Sequence, residues 1–170
     1  MEQVGYDMYC KLLDEVVKEI RGEAVVEEVD VQIELDVSSY IPDEFIENSS
    51  LKIEIYQTIA LCKNEEDILN VTDEIIDRFG KMPKEIENLL DIARIKILCR
   101  EKSILKVSQR DMNILFFFEQ DKFNIDIVDK LMKTFRNRIK FSPAQMPYIT
   151  FKLQDKNDTL EECKDFLKKL

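Results

Sequence analysis

Apolar positions along this chain keep two rhythms. Over the first hundred residues they recur mostly every third or fourth position. Tyr9, Leu12, Leu13, Val16, Val17 and Ile20 follow the spacing of one buried helix face, and Gly22 suits its end. Val29, Val31, Ile33, Leu35 and Val37 then alternate with Asp30, Gln32, Glu34 and Asp36. A period of two predicts a strand with one wet, acidic face. Pro42, which lacks an N–H and restricts Ile41, ends it.

Three helices are predicted next. Ser50 caps one that runs to about Cys62, with Leu51, Ile55, Ile59 and Cys62 on one face. Asn64 caps the second, Asp67 favours its dipole, and Ile68, Val71, Ile75, Ile76 and Phe79 form its stripe up to Gly80. Pro83 opens the third, which buries Ile86, Leu89, Leu90, Ala93 and Ile97. The short link at Gly80–Met82 makes the last two a hairpin.

From residue 103 the rhythm changes. Ile104–Val107 and Ile114–Phe118 read as a hairpin, and Asn124 starts a helix that buries Val128, Leu131, Met132 and Phe135. Ile139–Phe141 and Tyr148–Leu153 read as a second hairpin, broken by Pro143 and Pro147. Thr159 and Glu162 have the spacing of a capping box for a last helix that buries Cys163, Phe166, Leu167 and Leu170. The expected fold is α+β. A mostly helical part with one strand (1–102) precedes a four-stranded, mainly antiparallel sheet (103–170), ordered strand-strand-helix twice with both helices on one face. No Gly/Ser- or Pro-rich linker separates the parts, so 1–170 is read as one domain.

Composition narrows the function. The net charge is −10, but residues 1–100 carry 24 acidic and 11 basic side chains, whereas 101–170 carry 11 and 14. The acidic first half repels nucleic acid and suits a basic protein surface. Histidine is absent, which removes the commonest general base and metal ligand. Cys10, Cys62, Cys99 and Cys163 lack metal-site spacing and read as buried free thiols. With three glycines and no phosphate-loop or nucleophile-elbow motif, neither cofactor binding nor catalysis is expected. Carboxylate pairs such as Glu65/Glu66 and Asp73/Glu74 are expected by chance among 35 acidic residues. No basic segment leads an apolar one and no run is long enough for a bilayer, so a cytoplasmic, monomeric protein is expected.

Two features invite nucleic acid. Phe117 in the run Phe116-Phe117-Phe118 points away from its neighbours' face, either against another packed element or towards a partner. Lys130, Lys133, Arg136, Arg138 and Lys140 form a basic run that is either a solvated helix face or a phosphate-facing stripe.

The strings GYDMYCKLLDE (Gly5–Glu15), YIPDEFI (Tyr40–Ile46), EIIDRFG (Glu74–Gly80) and PKEIENLLDIARIK (Pro83–Lys96) together resemble the C-terminal domain of the bacterial transcription-repair coupling factor. The opening MEQVGYDMYC resembles the end of that factor's translocase region, which implies an excised fragment. The resemblance implies a non-catalytic regulatory domain. In the whole factor, an ATP- and magnesium-dependent DNA translocase displaces stalled RNA polymerase and recruits excision repair. This domain packs on the N-terminal domain that binds the excinuclease A subunit, masks it, and restrains the translocase until polymerase is engaged. The implied partners are those two parts of the same factor, with no direct nucleic acid and no membrane. The family's inhibitory interface sets acidic side chains of the helix ending DRFG against arginines, and these fall on Glu74 and Asp77. Both share one helix side as i and i+3. A local pairing of Asp77 with Lys81 or Arg78 is the alternative.

Overall fold

The structure, a computed structural model, describes residues 30–170. The helix expected over Tyr9–Ile20, its end at Gly22, and Cys10 lie outside the described residues. The described chain divides into two compact units, residues 38–94 and residues 30–37 with 95–170. The change of rhythm at 102 therefore falls later than the division, and the strand before Pro42 groups with the second unit.

The first unit is helical: α1 (Ser49–Ala60), α2 (Glu65–Phe79) and the start of α3 (Lys84–Glu101). Asn48, not Ser50, caps α1, its Oδ1 accepting from the Ser50 and Leu51 N–H groups at 2.9 and 3.1 Å. An amide oxygen two residues upstream reaches the orphan donors that the Ser50 hydroxyl, already inside the helix, cannot. Asn64 caps α2 by accepting from Asp67 N at 2.9 Å. Gly80 ends it at φ +88°, a conformation a side chain would strain. Ile55, Ile59, Ile68, Val71, Ile75, Ile86, Leu89 and Leu90 are buried. The Tyr56 hydroxyl accepts from Ile41 N at 2.9 Å, which ties the Pro42 turn to α1.

The second unit is built on a sheet of five strands, not four. They are β1 (Gln32–Glu34), β2 (Ile104–Arg110), β3 (Asn113–Phe118), β4 (Ile139–Ser142) and β5 (Tyr148–Lys152), in the order β1-β2-β3-β5-β4. The added strand pairs parallel to β2, with Ile33 beside Val107; the other three pairings are antiparallel. Helices α4 (Asp126–Phe135) and α5 (Thr159–Lys169) follow the two hairpins. Their aromatic side chains meet one sheet face: Phe166 lies 4.3 Å from Phe116 and 4.9 Å from Phe151, and Phe135 lies 5.2 Å from Phe151.

The pairings also define the opposite face as rows across the strands. Gln32, Lys106, Phe117, Tyr148 and Ser142 form one row, and Glu34, Ser108, Leu115, Thr150 and Lys140 the next. Arg110, Asn113 and Lys152 form the third.

The capping box of the last helix does not form. Thr159 turns its hydroxyl to Lys156 O at 2.8 Å. Glu162 accepts from Gln154 N and Asp155 N at 2.9 and 3.0 Å and pairs with Arg138. A carboxylate with two backbone donors and a guanidinium within reach gains more there than from one helix-end N–H. Met132 and Ile76, expected in the core, are 53% and 45% exposed. Val128, Leu131 and Phe135 on one helix, and Ile68, Val71 and Ile75 on the other, already fill the inward arc.

Cys62, Cys99 and Cys163 are buried free thiols. Burial, then Asp67, pushes Cys62 up to about 11 from an ordinary 9.0. Burial, with the neighbouring Cys163 adding, raises Cys99, and burial raises Cys163. Because each folded pKa lies above the unfolded one, stability is intact below pH 9. Above it the unfolded thiols ionise and stability falls by about 1.4 kcal/mol per thiol per pH unit. Denaturant midpoints between pH 8.5 and about 10.5 check this. Cys163→Ala is expected to fall less steeply than the parent, and an unchanged slope would exclude titration of that thiol as the cause.

Candidate interaction surface

Helix α2 carries the most distinctive surface of the first unit. Its sequence has more apolar residues than one helix face can bury. Leu69 and Ile76, seven positions and two turns apart, are 51% and 45% exposed. Glu66, Asp73 and Asp77 are exposed beside them. The result is an apolar strip rimmed by carboxylates. The helical period places Ile76 in the core and gives Leu69 no part in it. The available signal was the surplus itself, two apolar residues about 100° off the stripe of Ile68, Val71 and Ile75.

Glu74 and Asp77 are both exposed, one turn apart, but their surroundings differ. Glu74 accepts from Arg78 Nη1 at 2.9 Å, and Glu54 on α1 accepts from the same nitrogen at 3.2 Å. Hydrogen bonds from Arg78 to Glu74 and then Glu54 raise the Arg78 pKa further, so this cation stays charged. Asp77 makes no hydrogen bond or ion pair among the described residues, and the pairing with Lys81 or Arg78 is not formed. Phe79 is half-buried against Phe45 at 5.9 Å, with the Arg78 guanidinium 5.1 Å above its ring. Asp77 is thus the free charge of the pair, and Glu74 is the shared one.

The basic run does not form one surface. Lys130 and Lys133 are exposed on α4, which packs on the core face of the sheet, while Lys140 belongs to the opposite face. Arg138 is structural. It donates to Lys152 O at 3.0 Å, pairs with Glu162, and lies 4.6 Å above the Phe151 ring. Phe117 is half-buried on the non-core face with its ring 5.2 Å from Tyr148.

The described residues offer no cluster of three or more metal-ligating side chains. No described helix is long and apolar enough to cross a membrane.

Comparison with known proteins brings these features together. The TRCF domain family matches residues 35–128, a stretch that contains Glu74, Asp77 and Phe117. The transcription-repair-coupling factor of Rickettsia typhi is 35% identical over 162 residues, covering 92% of this chain and 14% of that protein. That of Staphylococcus epidermidis is 41% identical over 99 residues, 57% of this chain and 8% of the relative. The chain therefore spans about one seventh or less of the relatives' length. Among solved structures, the C-terminal domain of a transcription-repair coupling factor matches with a TM-score of 0.74 at 24% identity, over 82% of this chain and 90% of that one. That likeness establishes the fold.

Proposed function

Since the chain belongs to the TRCF domain family, we propose that it is a non-catalytic, autoinhibitory domain of a transcription-repair coupling factor. It masks the domain that binds the excinuclease A subunit and restrains the ATP-dependent DNA translocase until stalled RNA polymerase is engaged. The partners are those domains of the same factor, and the work is done in the cytoplasm by a monomer. ATP and magnesium belong to the translocase, and this domain holds neither.

The observation that carries the reading is the unpaired Asp77 on the rim of an exposed apolar strip. An arginine on an opposing surface can take Asp77 bidentately without breaking a bond among the described residues. Glu74 can join only by sharing Arg78's field. Leu69 and Ile76 supply area that becomes dry on docking. Exposed ion pairs contribute at most about 1 kcal/mol each, which suits a contact that must open.

Calorimetric titration of the 170-residue chain with the recruiting domain of its own factor tests this. Salt-weakened binding is expected, lost in Asp77→Arg and reduced less in Glu74→Arg. Binding that ignores both substitutions would refute this placement of the latch.

The runner-up reading, a nucleic-acid module on the Lys130–Lys140 run, loses its continuous stripe in the folded chain.

A further inference from the structure

The five-stranded sheet spends only one face on the core. The other is not a plain polar face. Phe117 and Tyr148, paired across the central strands β3 and β5, are half-exposed there with ring centroids 5.2 Å apart. To one side of them, along the strands, the register places cations. Lys140 on β4, Lys152 on β5 and Arg110 on β2 are exposed and make no side-chain ion pair among the described residues. Lys106, directly beside Phe117, is paired with Glu34 at 3.3 Å. With strands about 4.8 Å apart and residues about 3.3 Å apart along them, Lys140 lies about 8 Å from Tyr148, and Lys152 and Arg110 about 13–14 Å from the aromatic pair, all three towards the same end of the strands.

From this juxtaposition we infer that the open sheet face binds single-stranded nucleic acid. Unpaired bases stack on the Phe117 and Tyr148 rings while Lys140, Lys152 and Arg110 meet the phosphates. Aromatic platforms with flanking cations recognise single strands because every base offers a π-face, whereas a duplex keeps its bases inside. An acidic peptide would satisfy the cations but leave the rings unused. The overall charge of −10 argues against nucleic acid, yet the excess of acid lies entirely in the first hundred residues, and the rows of this face carry four cations against one carboxylate, Glu34. The inference is independent of the latch on α2.

Fluorescence anisotropy of a labelled short oligothymidylate with the 170-residue chain tests it. Three phosphate contacts predict binding weakened about 15–20-fold between 50 and 200 mM salt. Phe117→Leu is expected to weaken binding about tenfold. Lys140→Glu/Lys152→Glu, both exposed and outside any ion pair among the described residues, should remove it, while Lys130→Glu/Lys133→Glu on α4 should not. Circular dichroism confirms each fold. No anisotropy change up to roughly 1 mM protein would overturn the proposal. So would equal loss in the α4 pair, or competition by duplex DNA or polyglutamate as effective as by the single strand.

Discussion

Phe166→Ala is expected to remove about 3–5 kcal/mol of stability, among the largest losses for a single side chain here. Phe166 is fully buried on α5 and meets Phe116 at 4.3 Å, Phe151 at 4.9 Å and Phe135 at 5.6 Å. Among the described residues it is the one ring that touches two strands and the other helix at once. Truncation leaves a void that four rigid elements cannot all close, so the cavity cost adds to the transfer cost. Phe135, buried but at the end of α4, has more room to relax, and its truncation is expected to cost less. Domains of this kind hold only about 5–15 kcal/mol in total, so the loss is a large share of the whole. Urea unfolding of the parent, Phe166→Ala and Phe166→Leu measures it. Phe166→Leu should recover most of the difference, and a loss below about 1.5 kcal/mol for alanine would show that the aromatic cluster is not the keystone of the second unit.

The sequence revealed these elements to different degrees for physical reasons. Asn64 and Gly80 were legible because a cap and a helix stop act within four residues of their own position. Ser50 misled because Asn48 and Ser50 are both cap-forming residues and only the entry angle of the chain chooses between them. The partner of β1 was not legible. Alternation at 29–37 marks a strand, but nothing local says that Ile33 joins Val107, 74 positions later, and adds a fifth strand. Glu162 at capping-box spacing was claimed instead by Arg138 and the 154–155 backbone, groups brought near by tertiary structure. Of the candidate surface, the acidic residues could be named through the family resemblance. Their inequality could not, because Arg78 reaches Glu54 on a different helix. Likewise, periodicity alone placed Ile76 inside, and the packed arc of α2 put it outside with Leu69.

That inequality shapes the second large effect, expected in the full-length factor. Reversing Asp77 and Glu74 to arginine replaces attraction to a basic surface with repulsion. It also leaves the apolar strip of Leu69 and Ile76 without an aligned partner. Loss of two pairs at about 1 kcal/mol each plus like-charge repulsion amounts to about 3 kcal/mol, roughly a 150-fold shift of a latch equilibrium. The measurable gain is capped by how closed the latch starts. A factor held closed 99 times in 100 can gain at most about 100-fold in affinity for the excinuclease A subunit. A gain of tenfold or more is expected, together with polymerase-independent ATP hydrolysis. Asp77→Arg alone should give most of it, because Asp77 has no partner among the described residues. Glu74→Arg should give less, since Arg78 and Glu54 already set the charge there. Swapping the facing arginine of the recruiting domain to aspartate should restore masking in the Asp77→Arg background. Reversal of both residues with no change in excinuclease A affinity would place the restraint elsewhere in the factor. Release of the subunit site without release of ATP hydrolysis would show that one contact masks and another brakes.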